Sequence, residues 1–128
     1  MRYAFLLAIP LVALSAQDAA PQRPSVVNVQ LSNFKFTPKS IVLDRGQNYV
    51  LRLYNAAGGG HDFTAREFFA AASVAPSDRR WLTQGEIEVP PGQLREIRLT
   101  APAAGRYKVK CTHRFHKTLG MSGTIIVR

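Results

Sequence analysis

The segment from Cys111 to Met121 concentrates the side chains that could bind a transition metal. It contains the only cysteine of the chain, two of its three histidines and one of its two methionines. Thiolate, imidazole and thioether are soft ligands, and two histidines, one cysteine and a weakly bound methionine are typical of mononuclear electron-transfer copper sites. The segment therefore predicts a site for one copper ion that alternates between Cu(I) and Cu(II).

Two histidines of this segment compete for the role of ligand. His116 gives the spacing Cys-x4-His-x4-Met, whereas His113 would share the face of Cys111 if an extended strand continued past the cysteine. The spacing alone leaves both alternatives open, including a site in which His113 and His116 both bind copper.

A resemblance to a known family bears on this choice. From residue 26 to residue 127 the chain resembles the cupredoxins, or small blue copper proteins, and its Cys-x4-His-x4-Met spacing is similar to that of rusticyanin-type and related bacterial single-domain members. The upstream segments that carry the resemblance are, in order, Phe34–Pro38, Ile41–Leu43, Gly46, Leu51–Asn55 and His61–Phe63.

The resemblance implies a copper site with four ligands and a role in electron transfer. By position, the ligands would be His61, Cys111, His116 and Met121. The chain departs from the related members at Arg114-Phe115, where they commonly carry Pro-Gly, and by the additional His113. These departures concern the geometry of the site, and with it the colour and the reduction potential.

The N-terminus has the features of an export signal. Arg2 precedes an apolar run from Tyr3 to Leu14, which small residues follow. This predicts a secretory signal peptide over residues 1–16, because the run is short for a membrane span and small residues suit cleavage; an uncleaved anchor is the alternative. We expect a flexible leader over residues 17–25, one domain over residues 26–128, and a periplasmic or otherwise exported location.

The single cysteine has a consequence in an exported protein. It cannot form an internal disulfide and would leave a free thiol in an oxidising compartment. Copper binding gives this thiol a role, whereas a buried, inert cysteine is the alternative. Haem attachment through Cys-x-x-Cys-His is excluded because it needs two cysteines.

The chain is strongly basic. Its formal net charge is +9, from 17 basic and 8 acidic residues, and no basic run is longer than Arg79-Arg80. Dispersed charge argues against a nucleic-acid-binding arm and attracts acidic surfaces. Arg106, Lys108 and Lys110 would form the outward face of a strand that leads to the cysteine. We therefore expect a monomer whose partner is an acidic redox protein such as a cytochrome, with peripheral contact to an anionic membrane as a further expectation.

Alternating apolar and polar residues predict a series of short strands. They are expected at residues 26–31, 40–44, 48–55, 85–89, 93–100, 105–111 and 123–127, and Phe63 indicates a further strand after His61. Many short strands separated by Gly and Pro predict an all-β fold, an antiparallel Greek-key β-sandwich, which is also the cupredoxin-like fold that the resemblance implies. Alternation along 105–111 points Cys111 inward, toward the core.

One segment between the predicted strands has a different pattern. The alanines of Arg66–Ala72 favour a helix, and Ser77–Leu82 is expected to form a short turn capped by its serine. This helical insertion should cover one flank of the sandwich. Its aromatic residues, Trp81 and Phe68 or Phe69, should pack as core residues rather than form a ligand box.

Residues near the expected ligands are candidates for supporting roles. The glycine run before His61 should let the backbone approach a neighbouring loop and steer the His61 ring toward Cys111. A phosphate loop is not indicated, because no Lys-Ser/Thr pair follows the glycines. Asp62 and Asn55 are candidates for hydrogen bonds that hold the Cys111 loop, with ordinary turn or strand-end roles as the alternative.

The sequence supports one main hypothesis of function and two alternatives. The main hypothesis is an exported type 1 copper protein that carries single electrons between redox partners and is not an enzyme. The first alternative is a periplasmic copper-binding or delivery protein of metal homeostasis, in which His113 and His116 bind copper without fast redox cycling. The second is a metal-free cupredoxin-like interaction domain, because a fold does not fix a function.

Overall fold

Two β-sheets packed face to face form the body of the protein in a computed structural model that describes residues 12, 13, 15, 22–116 and 118–128. The strands within these residues are β1 (Ser25–Ser32), β2 (Lys35–Thr37), β3 (Ser40–Leu43), β4 (Asn48–Asn55), β5 (His61–Thr64), β6 (Ser73–Val74), β7 (Glu86–Val89), β8 (Leu94–Thr100), β9 (Gly105–Lys110) and β10 (Ser122–Val127). The predicted strands are confirmed. Strands β2 and β6 are additional, because two or three residues are too few to show a period.

The order of the strands confirms the β-sandwich and adds one detail. One sheet has the order β2-β1-β4-β8-β6, and the other has the order β3-β10-β9-β5-β7. Most neighbouring strands are antiparallel, but β1 pairs with β4 in parallel and β3 pairs with β10 in parallel. Both parallel pairs join strands that are distant in the chain, as parallel pairing requires. Each sheet is therefore mixed, whereas the sequence predicted antiparallel sheets, because local alternation does not show which distant strands pair.

The core between the sheets is built by strand alternation. Tyr49, Leu51 and Leu53 of β4 face inward, because successive residues of a strand point to opposite faces. The same alternation in β9 buries Val109 and continues into Cys111, which is fully buried. The inward orientation predicted for Cys111 is thus confirmed.

The first part of the helical insertion covers the sandwich as expected. Helix α1 (Arg66–Ala71) buries Phe68 and Phe69. The Phe68 ring meets the Tyr107 ring edge-on at 5.6 Å between centroids, and the Phe69 ring meets the Phe63 ring at 6.2 Å. Each buried phenyl group contributes about 1.5–3 kcal/mol of stability relative to exposure, so these contacts fix α1 against β5 and β9.

The second part of the insertion differs from the prediction in its cap. It is a 3₁₀ helix from Pro76 to Trp81 that begins after Ala75, and no side chain caps it, so the expected cap by Ser77 is wrong. Proline suits the first turn because its φ is already helical and it has no N–H that needs a partner. Trp81 packs against the core as predicted, and the guanidinium of Arg95 lies 4.2 Å from its ring centroid.

The N-terminal predictions concern a region that is mostly not described. The predicted signal peptide, residues 1–16, lies outside the described residues apart from 12, 13 and 15, and so do residues 17–21 of the predicted leader. Ser25, the last residue of that leader, belongs to β1. Among the described residues, no helix is both long enough and apolar enough to cross a membrane.

A close approach between β10 and the turn that joins β2 to β3 leads to a test of stability. A side-chain carbon at the buried Gly123 would collide with the carbonyl oxygen of Lys39. Gly123→Ala is therefore expected to lower the free energy of unfolding by about 1–3 kcal/mol, because the backbone must shift. Gly58→Ala is the control, since a carbon added there meets nothing within 4 Å. Urea denaturation of the metal-free protein measures both, and equal values for the two variants would contradict the close approach.

Candidate metal centre

Three side chains from distant parts of the chain meet at one place. His61 begins β5, Cys111 follows β9, and His116 lies on the loop between β9 and β10. The Nδ1 atoms of the two histidines are 3.1 Å apart. Cys111 Sγ lies 3.3 Å from His116 Nδ1 and 3.8 Å from His61 Nδ1. Two nitrogens and one sulfur thus form a compact triangle.

Backbone hydrogen bonds hold Met121 beside this triangle. The Met121 N–H donates to the His116 carbonyl at 2.9 Å, and the Met121 carbonyl accepts from the Cys111 N–H at 3.1 Å. Met121 is fully buried, as are His61 and Cys111, whereas His116 is half-buried. The loop is therefore closed at its base, and the methionine stays next to the cysteine and the loop histidine.

The triangle has the size expected around a single metal ion. Bonds of about 2.0 Å to imidazole and about 2.3 Å to thiolate, as in zinc sites, place the donor atoms of a trigonal ion about 3.5–3.7 Å apart. The observed separations of 3.1, 3.3 and 3.8 Å lie around these values. Two imidazoles, a thiolate and a thioether are also the donor set of electron-transfer copper. The arrangement of His61, Cys111, His116 and Met121 is that of a type 1 copper site.

Asn33 orients the His61 ring, and the sequence analysis missed it. Its side-chain oxygen lies 2.9 Å from His61 Nε2. Because an amide oxygen only accepts hydrogen bonds, Nε2 carries the proton, and Nδ1 keeps a lone pair that faces the sulfur of Cys111. A partner of this kind fixes the tautomer and the direction of a metal-binding histidine. Asn33 lies in the turn between β1 and β2. Asparagine is common in turns because of its backbone preferences, so its presence there did not indicate a role at the metal centre.

Asp62 joins the strand of His61 to the loop that follows Cys111, in the role expected for it. Its buried carboxylate accepts from the Thr112 N–H at 3.0 Å, the Thr112 hydroxyl at 2.6 Å and the Thr64 hydroxyl at 2.7 Å. Its backbone N–H lies 3.4 Å from Cys111 Sγ and donates to it. A buried carboxylate needs such donors, and here they fix the position of the residue next to the cysteine.

Asn55 supports a different loop from the one expected. Its Nδ2 donates to the carbonyls of Gly59, at 2.8 Å, and Val89, at 2.9 Å, while its Oδ1 accepts from the Ala57 N–H at 2.9 Å. The alternation of β4 buries Asn55 beneath the β4–β5 loop, so its amide bonds to the backbone of that loop rather than to the Cys111 loop. Asn55 thus shapes the glycine run that leads to His61.

His113 lies outside the triangle. Its Nε2 is 2.9 Å from both carboxylate oxygens of Glu88, and its ring stacks on the His116 ring with centroids 5.3 Å apart and planes at 17°. Gly60 leaves room for this pair, since a carbon added there would come within 2.9 Å of Glu88 Oε1. His113, Glu88 and Asp62 also have potential metal-binding atoms within 4.8 Å of one another. Their hydrogen bonds to each other and to Thr112 explain why these side chains lie close together.

Burial favours the uncharged forms of His61 and Cys111. The pKa of His61 is lowered, first by the loss of solvent and then by repulsion from His116 and His113. The pKa of the Cys111 thiol is raised, chiefly by burial. A thiol must lose its proton to bind a metal, so copper binding releases a proton and is expected to weaken as the pH falls.

The loop before His116 has an unusual backbone at the position where the chain departs from related cupredoxins. Phe115 has a φ of 65°, a left-handed conformation that bulky residues rarely adopt and that glycine accepts without strain. The Phe115 side chain is 63% exposed. With the exposed Phe34 and Leu119, it forms what we term the apolar patch next to His116, whose ring meets the Phe34 ring edge-on at 5.0 Å.

Sequence comparison links the chain to one family. A family model described as the cupredoxin-like domain matches residues 4–127. No curated protein gives a significant sequence match to the chain.

Solved structures share the fold at low sequence identity. An auracyanin from the photosynthetic bacterium Roseiflexus castenholzii superposes with a TM-score of 0.62 at 19% identity, over 84% of this chain and 99% of that chain. Auracyanin A, a blue copper protein from Chloroflexus aurantiacus, gives a TM-score of 0.61 at 18% identity, over 83% and 100% of the two chains. A multicopper oxidase from Campylobacter jejuni gives 0.63 at 14% identity, over 86% of this chain and 31% of the oxidase. At these identities the likeness shows the shared fold.

The geometry of the loop leads to a test of its two histidines. His116→Gly removes one nitrogen ligand and opens a coordination position, so added imidazole is expected to restore the visible band of the copper-loaded protein. His113→Gly is the matched control and should keep the band without imidazole, because His113 is bonded to Glu88. Absorption titrations measure both variants. A reversed result would make His113 the ligand, and loss of the band in both would indicate a three-histidine site.

The contacts of Asp62 lead to a test of its role in the centre. Asp62→Ala removes the acceptor that fixes Thr112, and it is expected to weaken copper binding by about 10–100-fold. Asp78→Ala is the control, because Asp78 is also buried and accepts from the Arg98 N–H at 3.0 Å but contacts none of the four expected ligands. Both variants leave buried donors unpaired and should be destabilised. Competition with a copper chelator measures the affinity for copper. A similar loss of affinity in the two variants would show that Asp62 only stabilises the fold.

Proposed function

Because the chain belongs to the cupredoxin-like domain family, we propose that it is an exported type 1 copper protein that carries single electrons between redox partners. The observation that carries this proposal is the triangle of Cys111 Sγ and the Nδ1 atoms of His61 and His116, with sides of 3.1–3.8 Å. If these three side chains only stabilised the fold, there would be no need for a thiol and two imidazoles to meet at one point.

In this proposal His61, Cys111, His116 and Met121 hold the copper ion. When bound, copper supplies a one-electron couple between Cu(II) and Cu(I). The Cys111 thiolate is the strong donor, the two neutral imidazoles suit both oxidation states, and the thioether of Met121 binds weakly and favours Cu(I).

The residues around the ligands limit their movement. Asn33 holds the His61 ring at Nε2, and Asp62 holds both the Cys111 sulfur and the adjacent Thr112. The core on which these groups rest is close-packed and resists deformation. Little rearrangement of the ligands is therefore needed when an electron arrives or leaves, which suits a carrier of electrons.

Two observations support a carrier rather than an enzyme. The chain spans 99–100% of two single-domain auracyanins but 31% of a multicopper oxidase. In addition, His61, Cys111 and Met121 are fully buried, so a substrate could approach only through His116. The half-buried ring of His116 and the apolar patch around it instead offer an edge through which an electron passes to a partner.

The N-terminal sequence pattern supports the proposed export, and the charge of the chain supports the proposed partner. The signal-peptide pattern of residues 1–16 supports a periplasmic or otherwise exported location. The net charge of +9 supports an acidic redox protein, such as a cytochrome, as the partner of a monomeric carrier. Anionic membrane surfaces would be attracted by the same charge.

Spectroscopy of the copper-loaded protein tests the proposed function. We expect an intense visible band from thiolate-to-copper charge transfer, a copper(II) electron paramagnetic resonance signal, and reversible one-electron reduction. Colourless binding of Cu(I) alone would instead favour copper delivery, and no binding would favour a metal-free interaction domain.

The thiolate can be tested separately. Cys111→Ser is expected to abolish the visible band, because a hydroxyl is a much harder and less readily ionised ligand than a thiol of similar size. The metal-free variant should keep its fold, which circular dichroism measures. An unchanged band in this variant would show that Cys111 is not a copper ligand.

A further inference from the structure

A cleft lined by basic residues lies beside the strand that leads to the metal centre. Its volume is about 470 Å³, and Val109 and Gly123 are part of its lining. Strand β9 pairs with β5 only between Thr64 and Lys110, because the chain leaves the sheet at Arg66 to form α1. This departure opens the cleft between α1 and the strands β9 and β10. We term it the basic cleft.

The positive charge of the basic cleft is not balanced within the described part of the chain. Arg66, Lys108 and Lys110 line it, with Glu67 as its one acidic residue. No ion pair among the described residues involves any of these four. Other arginines are paired, as in Arg52 with Glu96, Arg98 with Asp78 and Arg128 with Asp44. The cleft therefore presents uncompensated cations to solvent, where they attract an acidic surface.

The basic cleft is also directly connected to the metal centre. Lys110 is the residue before Cys111, so a single peptide bond separates the cleft from the proposed thiolate ligand. Across the sheet, Thr64 pairs with Lys110 and donates its hydroxyl to Asp62, which in turn holds Thr112. A group bound in the cleft thus lies next to the residues that hold the cysteine.

We infer that the basic cleft docks an acidic redox protein, whose Asp and Glu side chains lie against Arg66, Lys108 and Lys110. This inference rests on the proposed function and identifies the surface where the proposed redox partner binds. One electron passes between the partner's redox group and the copper, so that one is oxidised as the other is reduced and no atom is transferred. The route from this surface runs through Lys110 and Cys111, whereas the apolar patch would give a route through His116.

The form of the cleft favours a protein over a small anion or a membrane. Arg66 and Lys108 are exposed and Lys110 is half-buried, so a large partner can reach the cations that line the cleft. A volume of about 470 Å³ exceeds what one carboxylate or phosphate needs. The surface is concave, so a protruding acidic segment fits it better than a planar lipid surface does.

A titration with a model acidic segment tests this inference. The probe is a peptide of ten glutamates, added to the isotope-labelled full chain in its metal-free and Cu(I)-loaded forms and followed by nuclear magnetic resonance. We expect shifts at the amides of Thr64, Arg66, Lys108 and Lys110, and we expect the binding to be lost as salt rises from about 0.05 M to about 0.5 M. A peptide of ten glutamines should bind at neither salt concentration.

Charge reversal provides matched variants. Lys108→Glu and Arg66→Glu should each weaken peptide binding by about tenfold, because each replaces an attraction with a repulsion. Arg45→Glu is the control. Arg45 is exposed in the turn between β3 and β4, and its N–H donates to the Arg128 carbonyl after the end of β10, away from the cleft. It should change the affinity less than twofold. Unchanged visible and circular dichroism spectra in all three variants would show that neither the centre nor the fold had been altered.

Several outcomes would overturn the inference. They are shifts confined to the apolar patch, equal weakening by Arg45→Glu and Lys108→Glu, inorganic phosphate binding at the same residues as tightly as the peptide, or binding to phosphatidylglycerol vesicles without binding to the peptide. The metal-free titration does not depend on copper. A protein that binds the peptide in the cleft but gives no copper band would contradict the proposed function alone, and the converse result would contradict the docking site alone.

Discussion

The metal centre depends on the buried carboxylate of Asp62. It accepts hydrogen bonds from three donors, the Thr112 N–H, the Thr112 hydroxyl and the Thr64 hydroxyl, at 2.6–3.0 Å. Because a buried carboxylate is costly without such partners, its two neighbours cannot move away without a large loss of stability. The segment after Cys111 is thereby tied to β5, whose first residue is His61. One interaction therefore sets the distance between two of the three atoms of the triangle.

The environments of the ligands divide the centre into a fixed part and an accessible part. His61, Cys111 and Met121 are fully buried. The Asn33 oxygen accepts a hydrogen bond from His61, and the Asp62 N–H donates one to Cys111, which orients both ligands. His116 is half-buried, and its ring is held by contacts with other rings. The Phe34 ring meets it edge-on and the His113 ring stacks on it. Glu88 anchors His113 in turn, so the additional histidine has a structural role that does not require copper.

The two exposed features near the centre differ in chemistry. The apolar patch adjoins His116 and includes Phe115, whose left-handed backbone is a strain that such a residue bears only where the surrounding structure imposes it. The basic cleft adjoins Lys110, one residue from Cys111, and holds three cations without partners among the described residues. In the proposed role as an electron carrier, two surfaces of unlike chemistry would let the chain recognise two different partners.

The sequence by itself determined the strands, the inward direction of Cys111 and the chemistry of the centre. Strand alternation is a local property with a period of two residues, and the soft character of a thiol, an imidazole and a thioether belongs to the residue types themselves. Only the tertiary structure decided which groups support the ligands. Asn33 contacts His61 across 28 residues of sequence, whereas Asn55, expected to hold the Cys111 loop, bonds to its own loop instead. Likewise, spacing alone left both His113 and His116 as possible ligands. The resemblance selected His116, and only the structure shows that Glu88 lies 2.9 Å from His113 Nε2. Contacts between distant segments depend on how the sheets pack, and no local pattern in the chain records them.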